Sequence, residues 1–310
     1  MAMSVNTNTI SLNSQRSLSS TQNSLAVAMQ RLSSGLRVNS AKDDAAGLAI
    51  AERMNSQIKG MNVAIRNAND GISLAQTAEG ALGKMGDMLQ RMRELAVQSR
   101  NATNSEGDRA NLQKEFGELQ QEISRTIQSS SFNGNKLFAG TGVTTMEFQV
   151  GANTNGYDRI SVSAQGLNGS AAQATVAASS TNFADVLATA FTTNATGTGV
   201  GIAIGGWSAT VAGTAIGTQI DNAINVIDAA LTAVNNERAQ YGAVQNRFEA
   251  VIATLQVNVE NASASRGRIM DADFAAETSN LSRSQILQQA GTAMVSQANQ
   301  LPQQVLSLLR

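Results

Sequence analysis

The sequence predicts a mainly α fold: a long antiparallel coiled-coil helical bundle built from both chain ends, with a β-hairpin region and a small variable β-rich insert. Three observations lead to this prediction. Apolar residues recur at heptad spacing near both ends and along two long internal segments. Between residues 132 and 215 that spacing gives way to short alternating runs and small residues. The single proline is compatible with long uninterrupted helices.

The first helical segment has leucines seven residues apart. They are Leu18, Leu25 and Leu32, and Met29 and Leu36 continue an interleaved row. Heptad spacing places such side chains on one stripe of a helix, and this stripe needs a partner. The sequence therefore predicts that this helix is buried along one side by another helix.

Two further helices follow in the first half of the chain. Apolar rows run from Ile58 to Leu95, and a shorter helical pattern runs from Leu112 to Ile127. The polar stretch at residues 99–108 separates them and predicts a loop. A short loop between two amphipathic helices favours an antiparallel pair.

The centre of the chain has strand and turn signals. FNGNKLF at 132–138 predicts a turn. Alternating apolar residues then predict a β-hairpin near 146–163, namely Met146, Phe148, Val150, Ile160 and Val162. Residues 169–216 are rich in small residues and are interpreted as a short variable insert.

Two helical segments complete the chain. A three-four alternation of apolar residues predicts one long helix from about 218 to 266. At the C-terminus an apolar row recurs every seven residues, with Ala298 and Val305 interleaved; its members are Leu287, Met294, Leu301 and Leu308. Pro302 lies inside this pattern and predicts a kink or a second helix start.

Both ends of the chain are nearly free of charge. Residues 284–309 contain no Asp, Glu, Lys or Arg, and Arg16 is the one charged residue between positions 4 and 30. Exposed helices normally carry mixed charges, whereas a tightly packed assembly disfavours buried ions. A disordered tail would not explain the heptads, and a lipid-bound helix usually carries Lys or Arg. The ends are therefore predicted to pair with each other, to pack against neighbouring copies, and to order only on polymerisation into an open helical filament.

Composition argues against several classes of function. The chain has no cysteine and no histidine, which removes thiolate chemistry, Cys/His metal sites and Ser-His-Asp triads. A net charge of −1 gives no sign of nucleic-acid binding. The N-terminus lacks a Sec-type signal, and no apolar run is long enough to span a membrane. We expect no enzyme activity, catalytic residue, cofactor or metal. A hydrolase in the insert is the alternative, but residues 166–215 hold one acidic residue, Asp185, and no base or nucleophile pair.

Two groups of carboxylates have a structural explanation beside a metal-binding one. Asp43 and Asp44 suit a helix N-terminus, where the helix dipole favours negative charge. The sequence DADF at 271–274 resembles part of a calcium loop but lacks the downstream glycine and glutamate. It is interpreted as a turn or cap.

Four motifs in order resemble bacterial flagellin. They are LSSGLRVNSAKDDAAGLAIAERM (32–54), QRMRELAVQS (90–99), YGAVQNRFE (241–249) and SQILQQAGTAMVSQANQLPQQVLSLLR (284–310). The likeness covers about 1–150 and 220–310. It implies an inner-tube coiled-coil domain of residues 1–43 and 271–310, an outer-tube domain of 44–168 and 217–270, and the surface insert at 169–216.

The resemblance also implies a function and partners. Flagellin polymerises with itself into the extracellular flagellar filament and serves motility. It is exported unfolded through the flagellar type III channel, is assembled at the distal tip under a cap protein, and meets an export chaperone and the hook-filament junction protein. No nucleic acid or membrane partner is implied. The alternative is a hook-filament junction or cap-type flagellar axial protein, which shares the terminal heptads and the export route.

Flagellins are in addition recognised by a Toll-like innate receptor of hosts. By resemblance, the positions that carry this recognition are Gln90, Arg91, Leu95 and Glu115. Met92 departs from the family, which has valine there. The polymerisation residues expected from the terminal heptads are Leu18, Leu25, Met29, Leu32, Leu36, Leu287, Met294, Ala298, Leu301, Val305 and Leu308.

Overall fold

The structure, a computed structural model, describes residues 8–138, 143–165 and 214–308. Nearly all of the expected insert at 169–216 lies outside these residues. So do the side chains from residue 301 onward, including those of Leu301, Val305 and Leu308.

The described residues confirm a mainly α fold. They form five helices: α1 (Thr9–Ser34), α2 (Ala45–Ser99), α3 (Glu106–Ser129), α4 (Thr214–Met270) and α5 (Phe274–Leu308). The helix expected at 218–266 is α4, and the loop expected at 99–108 joins α2 to α3. Helix α5 continues through Pro302, so the second helix start considered there is wrong.

Polar caps and one glycine set the ends of the shorter helices. The side chain of Asn8 accepts a hydrogen bond from the backbone N–H of Ser11 at 3.1 Å and begins α1. Gly35 ends α1 with φ of 70°, a left-handed conformation that glycine adopts without strain. Leu36 therefore lies beyond the helix, and its expected place in the helical heptad is wrong. Ser105 and Asp108 form a capping box that begins α3.

Two small antiparallel hairpins follow α3. Strands β1 (Ser131–Phe132) and β2 (Asn135–Lys136) are joined by Asn133 and Gly134, whose φ values of 48° and 81° suit a two-residue turn. Strands β3 (Val143–Gln149) and β4 (Arg159–Gln165) pair with Phe148 opposite Ile160 and Met146 opposite Val162. The hairpin expected near 146–163 is confirmed.

The contacts of the chain define two compact units. The larger unit, Gly60–Val257, has one apolar core to which α2, α3, α4 and both hairpins contribute. Phe148 of β3 meets Phe248 of α4 edge to face, with ring centroids 5.6 Å apart. In this unit, Arg93 of α2 pairs with Asp228 of α4 at 2.6 Å, and Arg100, directly after α2, pairs with Asp221 of α4.

The smaller unit consists of Met1–Lys59 and Asn258–Arg310. Its two chain segments meet at the residues just after α1 and just before α5, where backbone hydrogen bonds join them. There the backbone N–H of Arg37 donates to the carbonyl of Met270 at 2.6 Å, and that of Ala272 donates to Gly35 at 2.9 Å. We call this contact the terminal crossing. A small core of Val38, Ala51 and Met270 forms in the same unit. The domain boundaries expected at 43/44 and 270/271 stay a prediction.

Candidate assembly surface

Helices α1 and α5 run antiparallel and meet along a seam of mostly small and polar residues. The least exposed residues of each helix recur in steps of three and four, as in a coiled coil. On α1 they are Ser11, Ser14, Leu18, Thr21, Leu25, Ala28, Arg31 and Leu32. On α5 they are Glu277, Leu281, Ser284, Gln288, Gly291, Val295 and Ala298.

Close approach and polar contacts set the register of this seam. A Cβ placed on Gly291 would lie 3.2 Å from Cδ1 of Leu18, so that leucine packs directly on the α5 backbone. Asn8 Nδ2 donates to the carbonyl of Ala298 at 2.7 Å. The hydroxyl of Ser11 donates to Oδ1 of Asn299, also at 2.7 Å. The two helices thus pair while burying few large apolar side chains.

Charge enters the seam at the end next to the terminal crossing. Arg31 Nη1 lies 4.0 Å from Oε2 of Glu277, and both side chains are largely covered. Nε of Arg31 is buried and has no hydrogen-bond partner among the described residues. The rest of the described seam has no ionised group.

Two large apolar side chains of α5, Leu287 and Met294, lie beside the seam and not in it. Leu287 is 51% exposed and Met294 is 61% exposed. Both line an open groove between the helices, which we call the terminal groove. Its walls are formed by Asn13, Ser17, Ser20, Ser24 and Val27 of α1 and by Asn280, Arg283, Leu287, Ala290 and Met294 of α5. The groove is therefore long and open, with apolar side chains mainly on the α5 wall. The part around Met294 has no ionised side chain, whereas Arg31, Glu277 and Arg283 line the part next to the terminal crossing.

Other apolar side chains of the same helix pair are exposed outside the groove. Leu12 and Met29 of α1 and Ile286 of α5 are each more than half exposed, and none of them lines the groove. The pair therefore presents uncovered apolar surface on more than one side. This exposure is unfavourable in an isolated chain, because burying each of these apolar side chains away from water would lower the free energy.

The structure separates the expected polymerisation residues into several groups. Leu18, Leu25, Leu32 and Ala298 lie in the seam; Leu287 and Met294 line the groove. Met29 is exposed away from the groove, and Leu36 packs with the small core near the terminal crossing. Sequence reasoning missed Ser284 and Gly291, which face α1. Their signal was a row of small residues seven apart, at 284, 291 and 298.

A second candidate surface is formed where α2 and α3 lie side by side. Arg91 donates from Nε to Oε1 of Glu115 at 2.9 Å and from Nη1 to Oε2 of Glu94 at 3.0 Å. These hydrogen bonds, the one to Glu115 first, raise the pKa of the Arg91 guanidinium, so it stays charged. Gln90 is exposed beside it.

Leu95, by contrast, has no exposed surface and belongs to the apolar core. Although it lies only one turn after Arg91, its side chain packs with the core of the larger unit. In this conformation it cannot touch a partner directly, and the exposed side chains of this face are those of Gln90, Arg91, Glu94 and Glu115.

The carboxylates considered for metal binding make local hydrogen bonds. Asp44 Oδ1 accepts from the N–H of Gly47 at 2.8 Å, at the start of α2, and Asp273 accepts from Ala275 and Ala276 at the start of α5. Hydrogen bonds from Ser40 and Asn39 lower the pKa of Asp43. Within the described residues no group of three or more acidic side chains could hold a metal, and no described helix could cross a membrane.

Comparisons with known proteins agree with this architecture. The family model for the bacterial flagellin N-terminal helical region matches residues 5–143, and that for the C-terminal helical region matches residues 224–309. The chain is 37% identical over 380 residues to Flagellin D of Vibrio anguillarum, with 100% of each chain covered. It is 34% identical over 491 residues to the B-type flagellin of Pseudomonas aeruginosa, again with 100% of each covered. Its fold is similar to that of a putative flagellar hook-associated protein from Vibrio parahaemolyticus (TM-score 0.55, 12% identity, 74% of this chain and 100% of that one).

Proposed function

We propose an assembly role for the terminal groove from one premise: this chain belongs to the bacterial flagellin family and is a structural subunit of the flagellar filament. In the proposal, a helix of a neighbouring copy lies in the groove and covers its walls. The supporting observation is that Leu287 and Met294 line the groove instead of their own chain's seam, and that the part around Met294 has no ionised side chain.

The energetics favour such an occupant. Burying a leucine or methionine side chain that was exposed stabilises a complex by about 1.5–3 kcal/mol. Around Met294 the groove walls carry Asn, Ser and Ala and no ionised side chain, so covering that part carries little cost of desolvating charge. A helix is the natural occupant because it satisfies its own backbone hydrogen bonds.

The two sides of the helix pair favour an open polymer over a closed dimer. The groove side carries Leu287 and Met294, whereas Leu12 near the start of α1 is exposed outside the groove. Contacts between unlike surfaces repeat from copy to copy, and they yield a helical filament when the rotation does not close. This matches the filament role of the family.

A matched pair of variants tests the groove. Leu287→Ser removes an apolar groove wall, while Ile286→Ser removes the adjacent and similarly exposed side chain that does not line the groove. Both are purified as monomers, checked by circular dichroism, and mixed with short filament seeds. We expect Leu287→Ser to slow seeded elongation by at least about tenfold, and Ile286→Ser to elongate within about twofold of the parent chain.

Equal loss in both variants would mean that general apolar stickiness drives assembly. Normal elongation by Leu287→Ser would remove the groove from the assembly mechanism. Leucine and isoleucine differ in helix propensity by no more than about 0.7 kcal/mol, which is less than the ~1.4 kcal/mol of a tenfold change, so propensity does not account for the expected difference.

Export and tip assembly belong to the same proposal. The chain passes unfolded through the flagellar type III channel with an export chaperone, folds under a cap protein at the tip, and joins a filament that the hook-filament junction protein connects to the hook. It thereby serves motility and is extracellular. Uncharged terminal segments suit this route, since they give a moving chain few ionic contacts. Several lysines placed on the side of the terminal segments that faces the export channel should then slow filament growth in cells. Unchanged growth would refute the idea that the lack of charge assists export.

The alternative assignment is a junction or cap-type axial protein. The likeness to the hook-associated protein supports the shared fold and nothing finer at 12% identity. Purified chain that forms long filaments on seeding supports the filament subunit; chain that binds filament ends without elongating supports the alternative. An enzymatic role has no supporting site among the described residues, and its absence stays a prediction.

We also propose that the surface around Arg91 is recognised by the Toll-like innate receptor. It is supported by the exposed guanidinium of Arg91, held between Glu94 and Glu115, with Gln90 beside it. The role of Leu95 is then to position this face from within the core. In the filament we expect the surface to be covered, so that monomer alone activates the receptor.

The receptor test uses charge reversal on one helix. Arg91→Asp should abolish receptor activation by monomer. Lys84→Asp is the control, because Lys84 is exposed on α2 two turns earlier and makes only a 3.8 Å pair with Asp87. Retained activation by Arg91→Asp, or equal loss in both variants, would contradict the proposal. Leu95→Ala is not informative, since it opens a cavity in the core.

A further inference from the structure

We propose that Met294 is a site of oxidation by peroxides on the unassembled subunit, and that its sulfoxide prevents the subunit from joining a filament. The inference rests on the proposed role of the terminal groove. It adds a chemical control of assembly to that role.

Met294 is set apart from most methionines of the chain by its exposure. Met85 and Met92 are fully buried, Met270 is 6% exposed, and Met294 is 61% exposed. Oxidation of methionine follows access to the sulfur, so Met294 reacts far earlier than the core methionines. Among the described methionines, Met29 has comparable exposure, at 56%, and lies outside the groove.

The surroundings of Met294 make its oxidation consequential. The side chain lines the groove next to Leu287, Leu18 and Gly291, and the nearby α1 wall carries Asn13 and Ser17. In the free subunit water reaches this place. Once a neighbouring helix covers the groove, the same side chain becomes part of a contact without ionised groups nearby.

The chemistry needs only the thioether and a peroxide. A sulfur lone pair attacks one peroxide oxygen, the O–O bond breaks, and an S–O bond forms. With hydrogen peroxide the second oxygen leaves as water, the sulfur is oxidised by two electrons, and the peroxide is reduced by two. A sulfoxide reductase with a dithiol reverses the step.

The sulfoxide conflicts with assembly because it replaces an apolar side chain by a strongly polar one. Its oxygen must lose its water when the groove is covered, and a polar group without a new partner opposes that transfer. In the assembled filament the neighbouring helix covers Met294, so assembled subunits resist the reagent. Oxidation therefore acts on newly exported subunits and spares finished filament.

The experiment compares hydrogen peroxide-treated and untreated monomer in seeded elongation, with peptide mass spectrometry to locate the sulfoxide. Each variant is compared with its own untreated sample. We expect treatment to slow the parent chain by about tenfold or more, and Met294→Leu by less than about twofold. Met61→Leu, a half-buried methionine of α2, serves as the control and should remain as sensitive as the parent chain.

Three results would overturn the inference. They are peroxide sensitivity retained by Met294→Leu, normal elongation of parent chain carrying the Met294 sulfoxide, and no recovery of elongation when a sulfoxide reductase restores that residue. Failure of untreated parent chain to elongate would instead refute the filament proposal. Equal oxidation of Met294 in filament and monomer would refute its burial in the groove, so the failures remain distinguishable.

Discussion

Glu237 and Tyr241 lie one helical turn apart on the buried face of α4. Glu237 is 8% exposed and Tyr241 is 1% exposed. The hydroxyl of Tyr241 has no hydrogen-bond partner among the described residues. Burial raises the pKa of the Glu237 carboxyl. Burial, and then the negative charge of Glu237, raises the pKa of Tyr241 to about 12. The larger unit thus keeps an unpartnered phenol and a buried carboxyl one turn apart in its core.

The first prediction concerns the pH dependence of stability. A carboxyl whose pKa is raised by folding contributes stability fully below its unfolded pKa of about 4.3 and loses that contribution as pH rises through its folded pKa. Glu237→Gln removes this loss. We expect the unfolding free energy of the variant, relative to that of the parent chain, to rise between pH 4 and pH 7. Urea unfolding of monomer at the two pH values measures this, and a difference that does not change with pH would contradict it.

The second prediction concerns the phenol itself. Tyr241→Phe removes a buried hydroxyl without a partner and keeps the ring, so the folded state should be unchanged or more stable by up to about 1 kcal/mol. Urea unfolding at neutral pH measures the change. A loss of more than about 1 kcal/mol would show that the hydroxyl has a partner after all.

The third prediction tests the close approach of Leu18 to Gly291. Gly291→Ala improves helix propensity by about 0.8–1 kcal/mol, and the 3.2 Å contact requires only a small movement of the flexible end of Leu18. Gly291→Leu needs far more room and should separate the helices. We expect seeded elongation by Gly291→Ala and none by Gly291→Leu. Elongation by both variants would show that assembly does not need this seam.

The fourth prediction concerns the order of α1 and α5 in the free subunit. The fully buried residues of their seam are small or polar, and its leucines are only partly buried, so the pair gains little from apolar burial on its own. We expect backbone amides of residues 9–34 and 274–308 to exchange rapidly in monomer and slowly in filament, with helix content by circular dichroism rising on assembly. Slow exchange of these segments in dilute monomer would contradict the prediction.

The long helices could be predicted from the sequence because their apolar spacing is regular over many turns. Residues Ile220 to Val259 give α4 almost to its ends, and the alternation at Met146 and Phe148 gives β3. Gly35 shows where such reasoning stops. Its left-handed conformation ends α1 one residue before Leu36, although the heptad continues in the sequence.

The partner surface of α5 could not be predicted from apolar spacing. The row containing Leu287 and Met294 is the most apolar of that helix, yet the row that faces α1 contains Ser284, Gly291 and Ala298. Hydrophobic periodicity reports which side chains leave water, whereas close helix contact depends on which side chains are small enough. Leu95 had two predicted roles, as a member of the apolar row of α2 and as a receptor contact, and its burial agrees with the first. A motif match does not say which side of the helix faces the core.

The terminal crossing has a mechanical consequence for the chain ends. Its backbone hydrogen bonds join residues 35–37 to residues 270–272, where α1 ends and α5 is about to begin, and this fixes the register of the two helices at that end. Pairing of α1 with α5 can therefore proceed from the terminal crossing toward both termini with the register already set. A subunit shortened by whole helical turns at both termini would keep each remaining α1 residue opposite the same α5 residue. It would differ from the parent chain in the length of the helix pair but not in its register.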